Sequence, residues 1–319
     1  MAKVLVTAPI PKAAQTILQQ AGLTVDTYTG SGLITPAELE KRIVGQDYLI
    51  TPLSTQVDQT IIDADPDLKL IANYGAGFNN IDVAYARQKN IPVTNTPKVS
   101  TTSTAEVAVG LILAVTHRLV EGDQLMRTSG FDGWAPLFFL GHQLAGKTLG
   151  IIGMGQIGQA VAKRLAAFDM DIVYYQRKPL PNDQAQALNA TYLPLDDVIK
   201  RSDVLTIHAP LTPETHHLLT AESFAAMKDT AYLINAARGP IIDEAALLKA
   251  LQNNELAGAA LDVYEAEPQV DDGFKALKNV VITPHVGNAT VEARDAMAQI
   301  VADNVVRVER GDAPLNVVN

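Results

Sequence analysis

Between Thr148 and Phe168 the chain reads TLGIIGMGQIGQAVAKRLAAF: an apolar run ending at Gly153, three glycines spaced GxGxxG, and a stretch of helical periodicity. That order forces a strand into a helix through a very short turn. The first glycine makes the turn, the second lets a ligand approach the backbone, and the third lets helix and strand pack closely. Loop N–H groups and a helix N-terminus then converge on an anion, the arrangement that holds a dinucleotide pyrophosphate. Gly153, Gly155 and Gly158 are therefore candidate cofactor contacts.

Strands and helices alternate on both sides of this segment. Upstream, VLVTAP, TVDTY, DYLIT, LKLIANY and IPVTNTP are separated by helical patterns. Downstream, DIVYY, DVLTIHA, AYLINAA, AALDVY and NVVITPH continue the rhythm. This alternation predicts an α/β protein of two doubly wound parallel-sheet domains with a cleft between them. A length of 319 residues suits two domains. We expect one domain over 1–98 plus 288–319 and a second over 99–287, with one long helix from Thr101 to about Arg127 and a final helix, Thr290 to about Gly311, packing back on the first domain.

Composition narrows the function. A net charge of −10, from 25 basic and 35 acidic residues, argues against nucleic acid as a partner. The absence of cysteine excludes a disulfide framework and thiolate catalysis, removes the soft ligands of a structural zinc, and fits a reducing compartment. The segment MAKVLVTAPIPK reads as a first strand rather than a signal peptide, and the longest apolar run, Val107 to Val115, is too short to cross a bilayer. The expectation is a cytoplasmic protein with neither a membrane partner nor a metal.

The stretch YYQRKP sits where a dinucleotide-binding fold usually places an acid for the ribose 2′-hydroxyl. Here Gln176, Arg177 and Lys178 stand instead, and two cations there suit a 2′-phosphate. NADP(H) is the expected cofactor, with NAD(H) the other one admitted; a solvated turn before Pro179 is the alternative reading of the same residues.

Other polar residues end strands of the second domain, where open α/β sheets bind ligands. Arg238 follows the strand AYLINAA and offers a fork of donors to a carboxylate or keto oxygen. Asp262 ends GAALDVY, Glu267 follows in EAEP, and His285 follows NVVITP. A histidine beside a carboxylate is a proton donor and acceptor suited to neutral pH. Of the other histidines, His208 is expected to line the cofactor cleft. In the first domain the loop YGAGFNNID would expose backbone N–H groups at Gly75, Ala76 and Gly77 to a small anion, and Ser54 ends a neighbouring strand.

Together, YGAGFNNID, LGIIGMGQIG, HAPLTPETHHLL, LINAARG, LDVYEAEP and TPHVG resemble, in order, the motifs of the D-isomer-specific 2-hydroxyacid dehydrogenase family along essentially the whole chain. The resemblance implies a flavodoxin-like substrate domain, a Rossmann cofactor domain and a homodimer centred on the cofactor domain and the long helix. It implies that Arg238 orients a small 2-keto acid, that His285 is the general acid in reduction, that Glu267 keeps His285 protonated, and that Asp262 meets the nicotinamide carboxamide. Further cofactor contacts implied are Thr104, Gln156, Ile157, Ala209, Pro210, Thr215, Ala236, Ala237 and Gly287. Substrate contacts implied are Ser54, Gly75, Ala76 and Gly77 with Arg238 and His285.

Within that family, phosphoglycerate dehydrogenases usually carry an arginine in the stretch matching TPLSTQ, and D-lactate dehydrogenases carry an aromatic segment after the histidine and a ribose-binding Asp. This chain has none of the three, which brings it closer to glyoxylate and hydroxypyruvate reductases. Trp134 resembles a tryptophan that some of these reductases insert into a neighbouring subunit's pocket, with simple packing as the other reading. A dinucleotide-sensing corepressor is the alternative from outside enzymology.

Overall fold

The structure, a computed structural model, describes residues 1–319. It divides into one unit of Met1–Ser100 with Ala289–Asn319 and a second of Thr101–Asn288. The first unit runs β1 (Lys3–Val6), α1 (Lys12–Gln20), β2 (Thr24–Thr27), α2 (Pro36–Ile43), β3 (Tyr48–Pro52), α3 (Gln59–Ala64), β4 (Leu70–Tyr74), α4 (Val83–Gln88) and β5 (Val93–Thr94). Helical crossovers force the strands parallel, and their order is β2-β1-β3-β4-β5.

Both faces of this sheet are covered, so its inner strands β1, β3 and β4 are buried at nearly every position rather than at alternate ones, while the edge strand β2, TVDT, stays partly exposed. Val4 and Val6 point to the face covered by α1 and by the last helix, through Leu18, Met297, Val301 and Val305. Leu5 and Leu49 point to the other face, among Leu39, Ile43, Ile61 and Ile62. Each such fully buried aliphatic contributes about 1.5–3 kcal/mol by leaving water.

The second unit runs α5 (Thr101–Thr116), α6 (Leu119–Arg127), β6 (Thr148–Ile152), α7 (Gln156–Ala166), β7 (Asp171–Tyr175), α8 (Asn182–Ala187), β8 (Ala190–Tyr192), α9 (Leu195–Arg201), β9 (Val204–Ile207), α10 (Ala221–Ala226), β10 (Tyr232–Asn235), α11 (Glu244–Gln252), β11 (Gly258–Leu261), α12 (Asp272–Ala276) and β12 (Val280–Ile282). Its parallel strands lie in the order β12-β11-β10-β9-β6-β7-β8. The direction of winding reverses between β6 and β9, the crevice where such sheets bind ligands. Helices α5 and α7 cover one face through Ala108, Ile112, Val161 and Leu165, while α9, α10 and α11 cover the other through Val198, Phe224 and Leu247. The final helix, α13 (Val291–Glu309), packs on α1 and β4 of the first unit.

Two readings of the sequence need correction. The expected single helix from Thr101 to Arg127 is two helices, α5 and α6, bent by 64°. At the break Arg118 takes a left-handed conformation, φ 56°. The returning chain supplies the reason: the His142 N–H bonds the Thr116 carbonyl, a Cβ on Gly141 would meet that oxygen at 2.7 Å, and the Arg118 guanidinium lies 4.1 Å from the Phe139 ring centroid. The edge strand β8 was also not foreseen; its three residues carry little apolar signal.

Candidate active site

The glycine loop answers three separate steric demands. Gly153, at φ 93°, lies so close to β9 that a Cβ would come within 2.6 Å of the Ala209 nitrogen and the His208 carbonyl carbon. A Cβ on Gly158 would lie 2.2 Å from the Gly153 oxygen, so α7 can approach β6 only without one. At Gly155 nothing lies within 4 Å of the added Cβ. Nothing within the protein demands that glycine, and the space it leaves is what a pyrophosphate needs. Gly155 caps α7 without a side-chain hydrogen bond, so the helix's first N–H groups carry no side-chain cap. Gln156 is exposed and Ile157 half-buried on the first turn.

At the end of β7, Gln176 Nε2 bonds the Lys178 carbonyl at 2.6 Å and fixes the turn, leaving Arg177 and Lys178 exposed. Glu214, on the loop after β9, has its carboxyl held below the usual range by the Thr212 hydroxyl and its own backbone, with a smaller contribution from the Arg177 charge. On that loop Thr215 acts as a staple, its hydroxyl bonding the Pro210 carbonyl and taking the Thr212 N–H; Ala209 is half-buried and Pro210 exposed. His208 reaches the surface in part, yet its Nδ1 is buried without a partner while Nε2 meets the Thr206 hydroxyl at 3.0 Å. Desolvation pushes its pKa down to about 4, so the ring is neutral near pH 7.

Arg238, Glu267 and His285 come together after β10, β11 and β12. Asn235, the last residue of β10, gives its amide N–H to the Arg238 carbonyl and accepts the Ala237 N–H, folding the AARG turn onto the strand end. Ala236 is buried beneath it. Burial lowers the Arg238 pKa from the usual arginine value and the charge of Glu267 opposes this; a guanidinium so far above neutrality stays charged. Glu267 accepts the Tyr264 N–H at 3.0 Å on Oε1 and bonds His285 Nδ1 at 2.8 Å through Oε2. Burial works to raise its pKa, but the His285 hydrogen bond, the charges of His285 and Arg238 and the Tyr264 N–H outweigh it, and the carboxylate stays ionised. With Nδ1 engaged, Nε2 is the nitrogen free to pass a proton.

His285 sits in the left-handed region at φ 55°, a cost of about 1–3 kcal/mol for a non-glycine residue. Asp262 holds it there. Its Oδ1 accepts the Thr283 hydroxyl at 2.6 Å and the Val286 N–H at 2.8 Å, and its Oδ2 accepts the Gly287 N–H at 2.8 Å. The Thr104 hydroxyl closes the same turn through the Gly287 carbonyl. Asp262 is 1% exposed. The structure thus gives it a clamping role that the sequence reading, which assigned it to the nicotinamide, did not contain. Asn235 was missed as well; a polar residue closing an apolar strand one step before a turn was the available signal.

The loop of the first unit is built from inside. Asn73 Nδ2 bonds the carbonyls of Gly75 and Gly77, Asn95 Nδ2 bonds that of Ala76, and Asn80 ties Asn73 to the Pro52 and Thr55 carbonyls. With its carbonyls engaged in this way, the loop buries Gly75, half-buries Gly77 and exposes Ala76. Leu53 would collide with a side chain at Gly75, at 2.8 Å. Ser54 is exposed beside it. No group of three or more His, Asp or Glu residues is placed to hold a metal ion.

A Rossmann-type sheet with an open glycine loop, and an arginine, a glutamate and a histidine at its strand ends, defines an oxidoreductase that uses NAD(P). The profile of the D-isomer specific 2-hydroxyacid dehydrogenase NAD binding domain matches residues 109–287. A Staphylococcus aureus (strain MRSA252) protein named "Putative 2-hydroxyacid dehydrogenase" is 54% identical over 321 residues, covering 100% of both chains. Among solved structures, a Thermus thermophilus protein superposes with a TM-score of 0.93 at 43% identity, over 99% of this chain and 100% of that one. The NADPH-dependent glyoxylate/hydroxypyruvate reductase of Sinorhizobium meliloti gives 0.87 at 32% identity, over 100% and 98%. The chain belongs to the D-isomer-specific 2-hydroxyacid dehydrogenase family.

Proposed function

We propose that this protein is a cytoplasmic reductase of small 2-keto acids of the glyoxylate and hydroxypyruvate type, forming the D-2-hydroxy acid with NADPH preferred over NADH. The observation that carries the reading is the His285–Glu267 pair with a half-buried Arg238 at the strand ends. Bound NADPH supplies a hydride for the carbonyl carbon. The protein does the rest: Arg238 draws the keto acid's oxygens toward its guanidinium, His285 delivers the Nε2 proton to the carbonyl oxygen, and Glu267 holds the imidazolium and its tautomer through Nδ1. In the oxidative direction neutral Nε2 takes that proton back.

Gly153, Gly155 and Gly158 with the first turn of α7 take the pyrophosphate, and Arg177 and Lys178 take the 2′-phosphate. Thr104, His208, Ala209, Pro210, Thr215, Ala236, Ala237, Asp262 and Gly287 complete the cofactor site. In the first unit, the loop of Gly75, Ala76 and Gly77, with Ser54, offers a place for a small anion such as a carboxylate. The absence of a cation at Pro52 to Gln56 supports a substrate without a phosphate. A run of exposed apolar residues, Leu119, Val120, Met126, Phe131, Trp134, Leu137, Phe138 and Leu140, supports a homodimer through α6 and the segment after it.

Initial rates with glyoxylate, hydroxypyruvate, pyruvate and 3-phosphohydroxypyruvate, each with NADPH and NADH, test the reading. The first two with NADPH should give the highest kcat/KM, and His285→Ala should abolish turnover while NADPH still binds. A preference for NADH with pyruvate would replace this reading with a D-lactate dehydrogenase. Sedimentation should show a dimer.

A further inference from the structure

A second cluster of titratable side chains lies next to the catalytic set and takes no part in the chemistry derived above. Glu244, the first residue of α11, accepts the Glu265 N–H on Oε1 at 2.7 Å, and Glu265 returns the contact by accepting the Glu244 N–H at 3.3 Å. His217 Nε2 meets the same Glu265 oxygen at 2.8 Å, while the His217 backbone N–H bonds the Pro240 carbonyl at 2.8 Å. Three loops are joined at this point: those after β9, β10 and β11.

The joined peptide is the one that matters for Glu267. Two successive N–H groups in the loop after β11 hold two different carboxylates: Tyr264 N–H holds Glu267, and Glu265 N–H holds Glu244. On its other side the same peptide touches the arginine turn, because a Cβ on Gly239 would lie 1.9 Å from the Tyr264 carbonyl carbon. A shift of residues 264–265 therefore moves the support of Glu267 and the turn that presents Arg238 together.

We propose that Glu244, with Glu265 and His217, forms a brace that positions Glu267, and through it His285, making Glu244 a positioning residue of the reaction outside the catalytic set. Burial, then the charges of Glu265, Asp271 and Glu267, push the Glu244 carboxyl up to about 7 against the Glu265 N–H, which favours its ionised form. Near neutrality the brace therefore changes charge beside Glu267. Its ionised form adds negative charge that favours a proton on the His285–Glu267 pair.

The inference rests on the proposed reduction, and the test separates the two. With NADPH and the best 2-keto acid, Glu244→Ala should lower kcat about tenfold or more, since small displacements of catalytic groups cost rates of that order. Its Kd for NADPH, read by fluorescence, should stay within twofold. Glu244→Gln keeps an acceptor for the Glu265 N–H and should recover most of kcat at pH 6.5. Lacking the charge, it should also move the alkaline fall of the reduction rate to lower pH by about half a unit. If Glu244→Ala does not fold, the pH profile of Glu244→Gln decides alone. Both variants matching wild-type in kcat and profile, or a loss of kcat that only tracks the folded fraction, would overturn the brace. Wild-type protein inactive on every 2-keto acid would refute the reduction instead; the His285 ring signals by NMR in Glu244→Ala would then decide the brace, a changed chemical shift at fixed pH supporting it and an unchanged one overturning it.

Discussion

Asp262 offers the sharpest test of how the acid is held. Its carboxylate takes two backbone N–H groups and one hydroxyl from the turn that carries His285, at 2.6 to 2.8 Å. Hydrogen bonds to a charged acceptor are worth about 1.5–3 kcal/mol each, and contacts sharing one acceptor add to less than their sum. Asp262→Ala removes all three and should cost about 3–6 kcal/mol, a large share of an ordinary domain's stability of about 5–15 kcal/mol. Asp262→Asn, with the carbonyl toward Thr283 and Val286, keeps that side and turns an amide N–H on the Gly287 N–H; about 1.5–3 kcal/mol should be lost. The left-handed backbone of His285 has to be held by something, so turnover should fall more than folding does. Urea unfolding followed by circular dichroism gives the first quantity and kcat the second, with both variants assayed well below their unfolding midpoints. An Asp262→Ala protein that unfolds at the wild-type urea concentration and turns over normally would refute the clamp.

Three further outcomes follow from the same geometry. Arg177→Ala combined with Lys178→Ala should cut kcat/KM with NADPH by on the order of ten- to a hundredfold while leaving the NADH rate within a few-fold, the lower end reflecting how exposed both side chains are. Glu267→Gln should lower kcat about tenfold or more while NADPH binding stays near normal, because His285 Nδ1 loses its ionised partner; initial rates and NADPH titration read the two directly. His208 is held neutral in the folded protein, with its pKa at about 4 against an ordinary value near 6.5. The unfolded chain binds the extra proton first, so stability present above about pH 6.5 should be lost as pH falls toward 4, by about 2–3 kcal/mol once the exposed part of the ring is allowed for. His208→Asn should flatten that part of the urea-midpoint curve.

The fold was legible because its cause is local. Strands such as Val4–Val6 and Leu149–Ile152 are apolar at every position, and a strand covered on both faces must be. The break between α5 and α6 was not legible, since nothing in Thr116, His117 and Arg118 forbids a helix. It is made by Gly141 and His142, residues far along the chain whose backbone occupies the place the next turn would take.

The site divides along the same line. Gly153, Arg238, Glu267 and His285 could be named from the sequence because each has a side chain, or a missing one, whose chemistry is unusual at a strand end. Asp262, Asn235, Asn73 and Glu244 act by accepting or donating to backbone groups, and a backbone N–H belongs to every residue except proline. No pairing of residue types announces such a contact. A charged acceptor at 1% exposure has to find its donors within the protein, however, and the donors nearest a strand end are those of the turn that follows. A buried Asp or Asn closing an apolar strand is therefore a readable sign that the next turn is being held in a shape it would not otherwise keep, and in this protein the turn facing Asp262 is the one in which His285 adopts a left-handed backbone.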